Sequence, residues 1–163
     1  MDIKKALSES NKSKVLSGQE ITSFIVSQLS ELKSHGIIQG FEKNVNFKHI
    51  AYDYEDQFLA NFVIDTIDEK RIIVRSSNSF RSDRAKIGFY DLDGILRLSN
   101  LSEDIISTIY LVSDEELQNP NFVSLREKFK NKEYYCPATH LFTLSEFVEF
   151  LQTYYEEKSS LFD

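Results

Sequence analysis

The chain has 163 residues, 41% hydrophobic and 28% charged, which is the composition of an ordinary globular protein long enough to bury one core. A single cysteine excludes an internal disulfide and, with three histidines, a Cys/His zinc cluster. The formal net charge is −7 and no apolar run approaches the roughly 18 residues of a membrane span, so a cytoplasmic protein with no membrane partner is expected.

The chain reads as a single domain over 1–163, its first 16 residues forming either a flexible extension or a short helix over Ile3–Leu16. No apolar stretch of signal-peptide kind occurs there. Ser17-Gly18-Gln19-Glu20 is a capping box, in which the Ser oxygen takes the Glu20 N–H and the Glu20 carboxylate reaches back. Ile21, Phe24, Ile25, Leu29 and Leu32 then give a helical stripe that His35-Gly36 ends. FLANFVID and RIIVRS, within Gln57–Ser76, predict two strands joined by a polar turn over Ile67–Lys70. A helix follows over Ser82–Leu92, ending at Asp93-Gly94. Ile105–Val112 is a continuous apolar run and predicts a central strand.

Asn121–Lys130 predicts a short helix and Tyr134–Phe142 a further strand. A second capping box, Thr143-Leu144-Ser145-Glu146, opens a helix with Phe147, Phe150, Leu151 and Tyr154 on one face. This order predicts an α/β (α+β) sandwich of three layers, a central mixed sheet flanked by helices.

Charge is concentrated in one place. Lys70–Lys86 holds Lys70, Arg71, Arg75, Arg81, Arg84 and Lys86 against one acid, Asp83, hence +5 here and −12 over the remainder. Such a concentration in an acidic chain points to a polyanion or an acidic partner. With the turn centred on Asp68, the predicted hairpin sets Asp65 opposite Arg71, Val63 opposite Ile73 and Asn61 opposite Arg75. Alternation places Asn61, Val63, Asp65, Ile73 and Arg75 on one face.

A long helix with an early Glu20, a hairpin, and the basic run RSSNSFRSDRAK opening a helix resemble the PD-(D/E)XK, or restriction-endonuclease-like, superfamily. FYDLDGI and the closing LFTLSEFVEFL are also similar to segments of type II restriction endonucleases, so the resemblance spans roughly Gly18–Leu151. It implies Mg²⁺-dependent hydrolysis of duplex DNA by a homodimer, each chain supplying one active site, or by a chain working beside a nuclease partner. It further implies a carboxylate on the first hairpin strand, another on the second, and a Lys two residues later. Those positions are Asn61, Ile73 and Arg75, and the chain departs from the pattern at all three.

Three placements of the acids stay open under this resemblance. Asp68-Glu69-Lys70 matches D-x-K with Asp53 or Asp56 upstream; Asp65 could serve as a metal ligand with Glu20 and Asp83; or Asn61 marks a nuclease fold that has lost catalysis. Under the same resemblance Glu20, Asn61, Asp65 and Arg75 form the catalytic set, with Asp65 and Asp83 holding the metal. Arg75, Ser77, Ser79, Arg81, Arg84 and Lys86 line the DNA, phosphate contacts positioning it and a few side chains reading base edges.

Each of these residues has a plainer reading as well. Glu20 is explained by capping, Asp65 by an ion pair with Arg71, and the serines by capping of the next helix. Arg81, Arg84 and Lys86 would then be a solvated helix face. His49 and His140 have no partner at motif spacing, and Cys136 reads as a core thiol.

Overall fold

The structure, a computed structural model, describes residues 21–51, 54–97, 104–131 and 139–160, the side chains of 49–51 and 54–56 excepted. The first capping box with Glu20, the segment Ile3–Leu16, Asp53 and Cys136 lie outside the described residues.

Helix α1 (Ile21–Ser34) buries the predicted stripe of Ile21, Phe24, Ile25, Leu29 and Leu32. It ends as glycine chemistry requires: Gly36 takes φ +73°, and the Ile37 N–H returns to the Leu32 carbonyl at 3.0 Å. Strands β1 (Gly40–Ala51), β2 (Tyr54–Asp65) and β3 (Arg71–Ser76) follow as an antiparallel meander. Helix α2 (Ser82–Arg97) crosses over to β4 (Ile105–Val112), which lies parallel to β3. A 3₁₀ turn (Asp114–Gln118) and helix α3 (Pro120–Lys130) lead to β5 (Thr139–Thr143), parallel to β4, and helix α4 (Leu144–Ser159) closes the described chain. The spatial order of the five-stranded mixed sheet is the order of the sequence.

The sheet is covered on both faces, as the predicted three-layer α+β sandwich requires. On one face Phe62, Ile64, Ile72, Val74, Ile109 and Leu111 pack with α1 and α4. On the other, Phe58, Ala60, Val63, Ile73, Tyr110 and Val112 pack with α2 and α3. Burying each such side chain contributes about 1.5–3 kcal/mol, so this two-sided core dominates the stability. β3 and β4 are apolar toward both faces, which is why they read as continuous apolar runs.

Three elements depart from expectation. β1 was not predicted, because FEKNVNFKHIA mixes charged and amide residues into its alternation. Helix α2 runs through Gly94 to Arg97 instead of stopping there. Gly94 serves close packing rather than termination: a Cβ at this position would lie 2.2 Å from the Phe58 ring. β5 starts at Thr139, residues 134–138 lying outside the described set.

The predicted hairpin register holds where it is paired. Val63 faces Ile73 and Asp65 faces Arg71. The predicted back-bond of the second capping box is also made, Thr143 N–H donating to Glu146 Oε1 at 2.8 Å.

Candidate functional site

Asn61 is where β2 changes character. Ala60 and Val63, three residues apart, pack on the same face, so strict alternation breaks between them. The β1–β2 pairing omits Asn61 and Asn44 opposite it, the latter with φ +56°. Beyond Phe62–Val74 the β2–β3 ladder ends. Instead, the Asn61 Oδ1 accepts the Ser76 N–H at 2.8 Å, a side chain standing in for the missing backbone carbonyl. Asn61 therefore lies at the same end of the hairpin as Arg75, with its carbonyl oxygen engaged.

From that end the chain passes into a braced loop. Ser77 N–H donates to the Leu111 carbonyl at 3.0 Å, and Ser77 Oγ to the Ser79 carbonyl at 2.7 Å. Asn78 Oδ1 accepts the Ile21 N–H at 2.7 Å, tying the loop to the start of α1. Asn119 Nδ2 donates to the Phe80 carbonyl at 3.3 Å, while the Phe80 ring is buried against Tyr110 and Phe122. The loop can thus present side chains from a fixed backbone.

What it presents is a cavity of about 250 Å³ lined by Arg75, Ser76, Ser77, Arg84, Ile87 and Tyr110. Arg75 comes from β3, Tyr110 from its register partner on β4, and Arg84 and Ile87 from the first turns of α2. The cavity opens at the carboxyl ends of two parallel strands, where α/β sheets commonly hold ligands.

Arg75 approaches Asp91 of α2, Nε to Oδ2 at 3.5 Å, too far for a good hydrogen bond. The Arg75 Nε and the neighbouring Ser76 Oγ are buried and have no hydrogen-bond partner. Asp91 is also occupied elsewhere, its Oδ1 accepting the Leu59 N–H at 3.1 Å. Burial pushes the Tyr110 phenol above its ordinary value, against the opposing influence of the Ser77 hydrogen bond and of the Arg75 and Arg84 charges. Two cations and a phenol therefore meet at one small volume, with the Arg75 Nε held only by its long approach to Asp91.

Gly88 sets the depth of the cavity. A Cβ there would lie 2.5 Å from Tyr110 Cε2 and 3.8 Å from Arg75 Cβ, so only glycine lets α2 approach this closely.

The other residues singled out from the sequence fall in three places. Ser79, Arg81, Asp83 and Lys86 are exposed and do not line the cavity, and Arg81 and Asp83 pair with each other at 3.1 Å. Burial raises the Asp83 carboxyl slightly, but backbone hydrogen bonds and Arg81 hold it below the usual carboxylate value. Asp65 lies opposite Arg71 at the other end of β3, about 16 Å away for a six-residue strand. Asp65 and Asp83 are thus not brought together.

Asp68, of the D-x-K string, is held at the hairpin tip by Thr66 Oγ1 at 2.6 Å and by the Tyr154 hydroxyl of α4 at 2.7 and 2.9 Å. Burial raises its pKa, yet these donors outweigh burial and leave it lowered. Burial and the Asp68 carboxylate push the Tyr154 phenol up to about 12.

The donors at the three positions implied for a metal do not fit Mg²⁺, which takes oxygen ligands in octahedral array. The Asn61 oxygen already accepts a hydrogen bond, Ile73 offers no donor, and Arg75 is a permanent cation. Among the described residues no three His, Cys, Asp or Glu side chains converge.

Sequence reasoning passed over Tyr110, Asp91 and Ile87. Two signals were available. Arg84, Ile87, Gly88 and Asp91 recur at i, i+3, i+4 and i+7, one face of a helix. Tyr110 carries the only hydroxyl-bearing ring in the run IISTIYLV.

No family model matches the chain, and no curated protein matches it. Among solved structures it is similar to protein VC1899 from Vibrio cholerae, at a TM-score of 0.52 and 12% identity. The likeness covers 82% of this chain and 31% of that one, so the chain spans about a third of its neighbour's length. At this identity it is a likeness of fold. No helix among the described residues is long and apolar enough to cross a membrane.

Proposed function

We propose that this chain is a restriction-endonuclease-like module that binds the phosphate backbone of nucleic acid without metal-dependent hydrolysis. The elements on which that resemblance rests are present as α1, the β2–β3 hairpin and α2. The observation that carries the reading is the cavity itself. Arg75, Arg84, Ser76, Ser77 and Tyr110 enclose about 250 Å³ in a chain of net charge −7.

Arg75 and Arg84 supply charge that guanidinium keeps at every physiological pH, and their forked donors match the oxygens of a phosphodiester. Arg75 Nε, whose approach to Asp91 is too long for a good hydrogen bond, finds a better acceptor when a phosphate enters. The exposed Arg81 and Lys86 add to the positive charge of the same segment, while the acidic remainder keeps weak contacts elsewhere unfavourable. Hydrolysis is not proposed, because Arg75 stands where the reaction needs a lysine and no carboxylate stands at Asn61 or Ile73.

Anisotropy of labelled oligonucleotides at about 50 mM salt tests the reading, with binding expected to weaken linearly in log–log salt. Incubation with Mg²⁺ should leave the oligonucleotide intact. Mg²⁺-dependent strand cleavage abolished by Arg75→Ala would overturn the non-hydrolytic assignment, and absence of binding would overturn the whole.

A further inference from the structure

The rim of the cavity is not uniformly polar. Ile87 and Tyr90 are each 61% exposed and Leu59 is 45% exposed, although apolar residues on a helix or strand of this fold normally face the core. Arg84, Ile87 and Tyr90 follow at intervals of three on α2, so they form one ridge leading out of the cavity. Arg84 and Ile87 line the cavity and Tyr90 is the next step along the same row. On β2 the Leu59 backbone N–H is fixed to Asp91 of that helix, while the Leu59 side chain, alternating with Phe58 and Ala60, lies on the opposite face of the sheet. The Tyr90 ring is not loose, since it rests against Phe58 with centroids 5.5 Å apart and planes tilted by 51°. The Phe58 ring is in turn pinned by Gly94 beneath it.

Resting on the nucleic-acid reading above, we infer that the ligand is single-stranded or locally unpaired, with an unstacked base lying on Tyr90 while its phosphate occupies the Arg75–Arg84 cavity. In a duplex the faces of the bases are stacked on one another and only their edges and the phosphates are offered. An exposed, buttressed aromatic beside a cationic cavity gains nothing from such a surface. A single strand offers both groups, and proteins that bind one combine cationic tracks with aromatic platforms. The spacing suits this. The six residues from Arg84 to Tyr90 rise about 9 Å along the helix, so a phosphate at Arg84 leaves a base of the same or the next nucleotide beside the ring. Ile87 supplies the apolar margin that such a base covers.

The experiment measures, for the intact chain, affinity for one labelled single strand, its duplex, and an abasic strand with the same number of phosphates. The single strand is expected to bind about tenfold more tightly than the other two, the range that one stacked base provides. Tyr90→Ala and Tyr90→Leu should lower single-strand affinity to the abasic level without changing the duplex, while Tyr90→Phe keeps it. Thermal melts of the variants confirm folding, and Tyr90→Leu retains the apolar contact with Phe58. Arg84→Glu should weaken all three ligands. Equal affinity for single strand and duplex, or an unchanged single-strand affinity in Tyr90→Ala, overturns the Tyr90 assignment; Arg84→Glu still weakening binding would then leave the phosphate reading standing. No binding of any ligand by the unaltered chain overturns both.

Discussion

The two ends of strand β3 gather similar residues and use them in opposite ways. At the turn end, Asp68, Thr66 and Tyr154 saturate one another: the phenol donates to the carboxylate, the threonine hydroxyl donates to it as well, and α4 is fastened to the hairpin tip. At the far end, Arg75, Arg84 and Tyr110 line an open volume, and the Arg75 Nε is left without a hydrogen-bond partner. A carboxylate closes the first cluster because it accepts from every neighbour. The second has no such acceptor of its own: Asp91 approaches Arg75 only to 3.5 Å and is already bonded to Leu59. Polar residues at one end are spent on stability, and at the other they are left for a ligand.

Charge reversal at the open end gives the largest expected effect. Arg84→Glu changes two units of charge beside the bound phosphate and should weaken oligonucleotide affinity about a hundredfold at low salt, lowering the salt slope by about one. Because Arg84 is exposed, thermal stability should stay within about 0.5 kcal/mol of the parent. A hundredfold loss accompanied by unfolding would show that the cation is structural.

Filling the space under Tyr110 should act on both affinity and stability. Gly88→Ala drives a Cβ into that ring, costing about 2 kcal/mol of stability and narrowing the cavity. Gly94→Ala meets the Phe58 ring instead and should cost a similar amount with the phosphate contacts left in place. Urea unfolding and titration of the pair with an abasic strand, which reads the phosphate contacts alone, separate packing from access, and equal affinity in both variants would disconnect Tyr110 from the site.

The closed end should answer only in stability. Tyr154→Phe removes the donor to Asp68 and should lower unfolding free energy by about 1 kcal/mol with oligonucleotide affinity unchanged. The pH profile carries the sign of each partner. The folded Tyr154 phenol, raised from 10.0 to about 12, contributes stability that is complete below pH 10 and lost as pH rises toward 12. Asp68, lowered from 3.8, contributes stability that is complete above that value and lost as pH falls through the lower folded one. In Tyr154→Phe the alkaline loss should shrink to the part that the buried Tyr110 phenol contributes, and the acid loss should shrink, as denaturant midpoints across pH will register.

The smallest effect is expected at Asp91. Asp91→Asn keeps an acceptor for the Leu59 N–H but removes the charge beside Arg75, so phosphate affinity should rise about threefold. A fall in affinity would mean that Asp91 orients Arg75 instead of competing for it.

Much of this comparison was legible before the structure. The turn centred on Asp68 gave the register Val63–Ile73 and Asp65–Arg71, because side-chain period two and a short turn leave few alternatives. The second capping box and the stripes of α1 and α4 were legible for the same local reason. Strand β1 was hidden because its polar residues weaken the alternation. Gly94 misled because a glycine chosen for close packing looks the same in sequence as one chosen to end a helix. The site was half visible: Arg75, Ser77 and Arg84 stood out by charge and position, whereas Tyr110 and Asp91 lie on other elements and join them only in space.

What the sequence determined by itself is the elements other than β1, the two apolar faces of β3 and β4, and the +5 segment between Lys70 and Lys86, all consequences of local periodicity and composition. Which of those charges matter was decided by the tertiary structure. Asn61 ends the β2–β3 ladder with its side chain, Gly88 admits the sheet to within contact of α2, and the parallel pairing of β3 with β4 sets Tyr110 beside Arg75. Those are long-range contacts, and no window of sequence contains both partners. The basic segment is therefore divided by the fold into exposed surface at Arg81 and Lys86 and a cavity at Arg75 and Arg84, because only the latter are brought against a second strand and its buried phenol.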